Sequence, residues 1–275
     1  MAAALLLLLC AFALLPAPTH TATPEPLQAL RFHRPAPHHN STQVSAYASP
    51  RGDLAASLGL PGRDLRYLDP KRPSVTQLAA RRSCLLLSVG HVRAVVLPDA
   101  LLLFDRDRPE LEGVVPALVH ALNQFGRGVL PFEHRALQAL LQCVGNRNLA
   151  RLGALEPAVA GCMAALRSST QKRMLDELLP LKNALDELHY DLDEVCALLT
   201  ELVDDDDEMA QFCWPKEAKA GGGGGGREAR LELEMMLEHH LSQHEAMRAR
   251  SADLKVREGV AVAVAVRPVR RPRPP

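Results

Sequence analysis

The sequence predicts an α+β fold: a small β-sheet flanked by helices, then a long antiparallel helical hairpin and a C-terminal stalk helix. Three observations carry that expectation. Compact Val- and Leu-rich runs at Cys84–Ser88, Val92–Leu97 and Leu101–Phe104 are separated by Gly90-His91 and Pro98-Asp99, which is the spacing of a strand meander with turn residues between its strands. Met174, Leu178, Leu181, Leu185, Leu188, Leu192, Val195, Leu199 and Leu202 recur in steps of four and three, so one side of one helix is apolar over its whole length. Aromatic residues are only 4% of the chain against 47% hydrophobic, a balance that suits leucine-rich helix packing.

At 275 residues the chain is long enough to bury a sizeable core in one or two domains. Its 32 basic and 32 acidic residues cancel, so no global field directs it to nucleic acid. The charge is segregated instead. Gln171–Glu208 holds thirteen Asp/Glu against three Lys/Arg, a local net of −10, while Lys255–Pro275 holds six Lys/Arg against Glu258. Six cysteines (Cys10, Cys84, Cys143, Cys162, Cys196 and Cys213) are dispersed with no C-x-x-C spacing, which reads as buried free thiols rather than zinc ligands or a disulfide framework.

In chain order, Ala2–Leu15 is an apolar run ended by Pro16, too short for a comfortable transmembrane helix and similar to a signal-peptide core. Pro16–Gly52 is rich in Arg, His, Pro, Ser and Thr with Glu25 as its one acid. Residues 1–62 therefore read as an organellar presequence, the alternative being a poorly ordered terminus with no address. Order is expected to begin near Arg63, with a folded α+β domain over 63–214. Ser74–Leu78 reads as a short strand and Leu111–Gln124 as an amphipathic helix. A long helix opens at Leu130-Pro131-Phe132, where proline's missing donor is harmless, and Gly145 and Pro157 are expected to bend or weaken it.

Ser168-Ser169-Thr170 marks a corner from which the acidic helix returns antiparallel, with Pro180 near its start or at a kink. Asp204-Asp205-Asp206-Asp207-Glu208 then continues that helix. Acid there opposes the helix dipole, and like charges at i,i+4 each cost about 0.2–0.5 kcal/mol. Burying each Leu of the seam contributes about 1.5–3 kcal/mol gross, so the helix survives the repulsion and a divalent cation would relieve it. Residues 215–226 read as a glycine-rich linker, 227–257 as the stalk helix and 258–275 as a disordered basic tail. Leu233, Leu237, His240, His244, Met247 and Leu254 share the stalk seam, where protonation of the histidines near pH 6 would put charge into an interface and weaken self-association.

Several blocks now stand in a recognisable order: Asp64-Leu65-Arg66 and Leu68-Asp69, His91–Val96, Leu101–Asp105, Leu130-Pro131-Phe132-Glu133-His134-Arg135-Ala136-Leu137, Leu202–Ala210, and Leu231–Glu238. Over about Asp64–Leu254 this order resembles the eukaryotic branch of the CorA magnesium-transporter superfamily. The resemblance implies a soluble N-terminal domain feeding a stalk that becomes a pore helix ending in Gly-Met-Asn, a second transmembrane helix, a pentamer, and a mitochondrial inner or plastid membrane. This chain contains no Gly-Met-Asn, and the similarity stops near Leu254. It therefore reads as truncated before the transmembrane helices, or as ending mistakenly. The function expected is magnesium transport, with this chain carrying the regulatory domain without the pore. The alternatives are a soluble protein that associates with intact transporter subunits, and a plain helical scaffold.

Glu187, Asp191 and Glu194 stand at i, i+4 and i+7 and share one helical face, and Asp204, Asp205, Asp206 and Asp207 extend the acidic surface. Hard oxygen ligands suit Mg2+, which keeps several waters and needs only one or two carboxylates. The same residues could instead form a solvated face holding no ion. His240 and His244 lack a third ligand at a convincing spacing, and neither a nucleophile constellation nor a phosphate-binding glycine loop is present, so a non-enzymatic protein is expected.

Overall fold

The computed structural model describes residues 26–35, 41–104, 111, 113–124, 131–165, 171–213 and 225–266. The fold is α+β. Strands β1 (Leu27–His33), β2 (Val44–Ser49), β3 (Gln77–Ala80), β4 (Leu85–Val89), β5 (Val92–Val96) and β6 (Ala100–Phe104) form one antiparallel sheet in the order β2-β1-β6-β5-β4-β3. The meander expected from Cys84 to Phe104 is β4-β5-β6. Gly90 makes the two-residue β4–β5 turn at φ +55°, a region that side chains with a Cβ rarely adopt.

Every residue of β4, β5 and β6 is buried, because both faces of the sheet are covered. Leu85, Leu87, Val92, Ala94, Val96, Leu101 and Leu103 face the long helices. Leu86, Val95, Leu102 and Phe104 face a thin layer made by α1 (Arg51–Leu58) and a 3-10 turn at Asp64–Tyr67. The period-2 alternation of a strand divides these residues between two cores. Polar contacts pin the thin layer. Arg93, 1% exposed, donates to the Asp69 and Arg72 carbonyls, Arg81 Nε donates to Asp64 Oδ2 at 2.6 Å, and Arg51 pairs with Asp69 at 2.9 Å. The Arg51 hydrogen bond holds the Asp69 carboxyl below its usual range.

Strands β1 and β2 correct the expectation that order begins at Arg63. β1 inserts between β2 and β6 and places Phe32 in the larger core and Leu27 and Ala29 in the smaller. Flanking Pro, Arg and His hide its alternation. β2, Val-Ser-Ala-Tyr-Ala-Ser, is an edge strand that is mostly exposed and so carries little apolar signal.

On the other face lie α2 (Val114–Gln124), α3 (Phe132–Ala165), α4 (Gln171–Asp204), α5 (Asp206–Gln211) and α6 (Gly225–Val266). α3 and α4 form the expected hairpin, its corner lying outside the described residues. Both helices run unbroken through Pro157 and Pro180. α6 packs against both of them. Of the α4 seam, every residue from Leu178 to Leu202 is buried; the burial of Met174 lies outside the description. The Leu-Pro-Phe-Glu block meets the acidic-run block directly, as His134 Nε2 donates to the Phe212 carbonyl at 2.9 Å and Phe132, Met209 and Phe212 share one core.

Two further expectations are corrected. The stalk helix begins at Gly225 and continues through Val266, so helix replaces both the end of the glycine linker and the start of the basic tail; Val260–Val266 alternates two residues that both fit a helix. The acidic helix does not run on through Met209. It stops at Asp204, and Asp205 caps a new helix by accepting from the backbone N–H groups of Asp207 and Glu208, both at 2.9 Å. Asp206, Asp207 and Glu208 thereby stand in a first helical turn, where the dipole favours negative charge. The chain relieves much of the repulsion by breaking the helix. What remains shows at Glu208, whose pKa is raised by burial and then by Asp205 and Glu201. Among the described residues no helix is long and apolar enough to cross a membrane.

Candidate functional site

The β4–β5 turn meets the middle of the α3–α4 hairpin at a cleft of about 210 Å³. Thr76, Val89, Gly90 and His91 form one wall; Arg147, Asn148 and Arg151 of α3 and Glu187, Asp191 and Glu194 of α4 form the other. The helical spacing read from sequence thus brings Glu187, Asp191 and Glu194 into one cleft.

Their oxygens are engaged by neighbours. Arg151 Nη1 donates to Asp191 Oδ2, and its Nη2 stands 3.7 Å from Glu187 Oε1. Arg151 and Asp191 are half-buried while Glu187 is 72% exposed, so the pair with Asp191 is the better shielded. Glu194 accepts from the Thr76 hydroxyl and from the Tyr190 hydroxyl, both at 2.5 Å. Among the described residues no group of three or more His, Cys, Asp or Glu has an arrangement that could hold a metal ion directly.

Asp204, Asp205, Asp206 and Asp207 are not in this cleft. Asp204 lies ten residues beyond Glu194, about 15 Å along the helix. Asp205 is a helix cap, and Asp206 pairs with Arg230 of α6. Thr76, Arg147, Asn148 and Arg151 are cleft residues that sequence reasoning did not single out. For Arg151 a signal existed, since folding the hairpin about Ser169 sets Arg151 opposite Glu187.

His240 and His244 do not face an interface with another copy. They lie inside the α3–α4–α6 bundle, 1% and 0% exposed, between the apolar layers around Leu237 and Met247. His244 Nδ1 donates to the His240 carbonyl at 2.8 Å, while His244 Nε2 and both His240 nitrogens are buried without a partner. Burial pushes the His240 pKa down to about 4 and lowers that of His244. His240 is therefore neutral near pH 6, and both rings are shut inside the bundle, which removes the basis for pH-dependent self-association through them. Four of the five described cysteines are buried free thiols, and Cys162 is partly exposed. Burial raises Cys84 and Cys143 to about 11.

Comparison with known proteins gives these blocks a common origin. The family model described as magnesium transporter MRS2-like matches residues 37–257. The mitochondrial magnesium transporter MRS2 homolog of Pongo abelii is 26% identical over 78% of this chain and 49% of its own length. The human homolog of the same name is 25% identical over the same shares. The chloroplastic magnesium transporter MRS2-11 of Arabidopsis thaliana is 31% identical over 59% of this chain and 37% of its own. The chain thus spans about half the length of the first two of these relatives. With four-fifths of its residues matched, the chain belongs to the MRS2-like family of the CorA superfamily.

Proposed function

We propose that this chain is the magnesium-responsive regulatory domain of an MRS2-type magnesium transport system in an organellar membrane, with Mg2+ as the transported ion. The observation that carries the reading is the cleft itself, where three carboxylates of one helix face line a solvent-open space between sheet and hairpin. Hydrated Mg2+ held at Asp191 and Glu187, with Glu194 and Thr76 meeting its waters, would tie α4 to the β3–β5 side of the sheet. That coupling reaches α6, which packs along α4. The organellar setting draws support from relatives named mitochondrial and chloroplastic.

Isothermal titration of the full chain with MgCl2 tests the reading. Saturable binding at millimolar Kd, lost in a Glu187→Ala/Asp191→Ala/Glu194→Ala variant, is the expected result. Heats unchanged by the triple substitution would contradict it.

A second reading, association with copies of itself or with intact transporter subunits, draws on the outer face of α6. Leu231, Met235, Val256 and Val260 are all at least half exposed there. Met235 and Val256 are separated by three heptads and so fall on one side of the helix.

A further inference from the structure

The sheet ends in two unlike edges. At one, β3 is short and three of its four residues are buried. At the other, β2 is exposed along most of its length, with Val44, Ala46 and Ala48 all open to solvent. The ladder fixes which backbone groups of β2 are used. The His33 N–H donates to the Gln43 carbonyl at 2.9 Å. That pair and every second pair after it, Arg31 with Ser45, Ala29 with Tyr47 and Leu27 with Ser49, therefore exchange hydrogen bonds. The N–H and C=O of Val44, Ala46 and Ala48 point away from β1, and among the described residues no strand pairs with them. We infer that β2 is a docking edge for a second copy of this chain: two β2 strands pair antiparallel about Ala46 and join their sheets into one.

Three features favour this occupant. An exposed edge is ordinarily guarded by Lys, Pro, a bulge or a covering segment. β2, Val-Ser-Ala-Tyr-Ala-Ser, carries no charge and no proline, and its register with β1 runs one-to-one from Ser49 to Val44 without a bulge. The edge is also held extended before any partner arrives. Ahead of it, Thr42 donates from both its N–H and its hydroxyl to Asn123 Oδ1 of α2, at 2.8 and 2.9 Å, and behind it Pro50 leads straight into α1. Such preorganisation lowers the entropy cost of adding a strand. Finally, the edge is complementary to itself. A two-fold axis through Ala46 sets Ala46 against Ala46 and Val44 against Ala48, so each outward N–H meets an outward C=O of the other copy. No like charges face across that pair, and the small Ala side chains let the backbones close to ladder distance. The contact uses neither the cleft nor the outer face of α6. It is small beside a standard stable interface, so the dimer is weak and reversible.

Sedimentation equilibrium of the full chain over a concentration series tests the pairing, with circular dichroism melts showing that each variant is folded. Wild type should dimerise reversibly with a Kd below about 1 mM. Ala46→Lys sets two like charges opposite each other at the axis and should weaken the dimer several-fold. Ala46→Pro removes an N–H that bonds nothing within the sheet and should also weaken it. Met235→Lys, on the exposed face of α6, should leave the dimer at wild-type strength. Oxidative cross-linking reads the register. Ala46→Cys should give a covalent dimer, while Ala48→Cys, on the same edge and face but opposite Val44, should not. A monomer at every concentration up to about 1 mM would overturn the self-pairing and leave the edge to a strand of another protein. A dimer lost in Met235→Lys but kept in Ala46→Lys and Ala46→Pro would overturn it by moving the contact to α6. Equal cross-linking through residues 46 and 48 would overturn the pairing about Ala46.

Discussion

His244 rests on Gly145: a Cβ built at residue 145 would stand 3.6 Å from His244 Cε1 and 3.9 Å from Nε2. That is ordinary van der Waals contact, so the site admits a methyl group. Gly145→Ala should therefore stabilise the domain by up to about 1 kcal/mol, the helix-propensity difference, since α3 is unbroken there. Gly145→Leu should destabilise it by about 1–3 kcal/mol through overpacking. Urea midpoints of the two variants check the pair of signs.

The buried histidines make stability fall in acid. An unfolded imidazole takes its proton near pH 6.5, whereas His240 in the fold takes it only near pH 4. Between those values the unfolded chain binds more protons, so stability declines as pH drops from about 6.5 toward 4. For His240 alone the loss is on the order of 3 kcal/mol. His240→Leu should flatten this part of a stability–pH curve measured by urea unfolding. An unchanged slope would show that the acid sensitivity lies elsewhere.

Asp205 is the residue that lets the acidic run end one helix and begin another. Asp205→Ala removes the acceptor for two backbone N–H groups and should cost about 1 kcal/mol. Asp204→Ala, which caps nothing in the structure, should cost less. Thermal melts of the two variants at one ionic strength decide this.

Residues 63–214 do not contain the whole core. A fragment with those ends lacks β1, and with it the strand that covers the edge of β6, and lacks Leu233, Met236 and Leu237 of α6. It should aggregate or fail to melt cooperatively, whereas a fragment spanning 26–266 should melt in one transition. Circular dichroism melts of both compare them directly.

What could be read from the chain alone follows from how strongly burial imprints a period. The α4 seam was legible because a buried helix face repeats its leucines, and β4–β6 because strands covered on both faces are continuously apolar. β2 was not legible, since an exposed edge strand of small residues carries no such imprint. The α4–α5 break was missed for another reason. Four consecutive aspartates read equally well as a charged helix end and as a cap, and only the backbone at Asp205, extended at φ −103° and ψ 100°, decides between them. At the cleft, one helical face gave Glu187, Asp191 and Glu194, but their cation comes from another helix. The spacing within α4 holds no trace of Arg151.

The central claim, that Glu187, Asp191 and Glu194 bind Mg2+, is tested most directly by melting the full chain in MgCl2 and in NaCl at equal ionic strength. An ion that binds the folded state stabilises it by RT ln(1 + [L]/Kd), so even a weak site raises the melting temperature once the ion exceeds its Kd. The account predicts a larger rise in millimolar MgCl2 than in NaCl, with the excess removed by Glu187→Ala/Asp191→Ala/Glu194→Ala. An equal rise in the two salts, or an excess that survives the triple substitution, would contradict it.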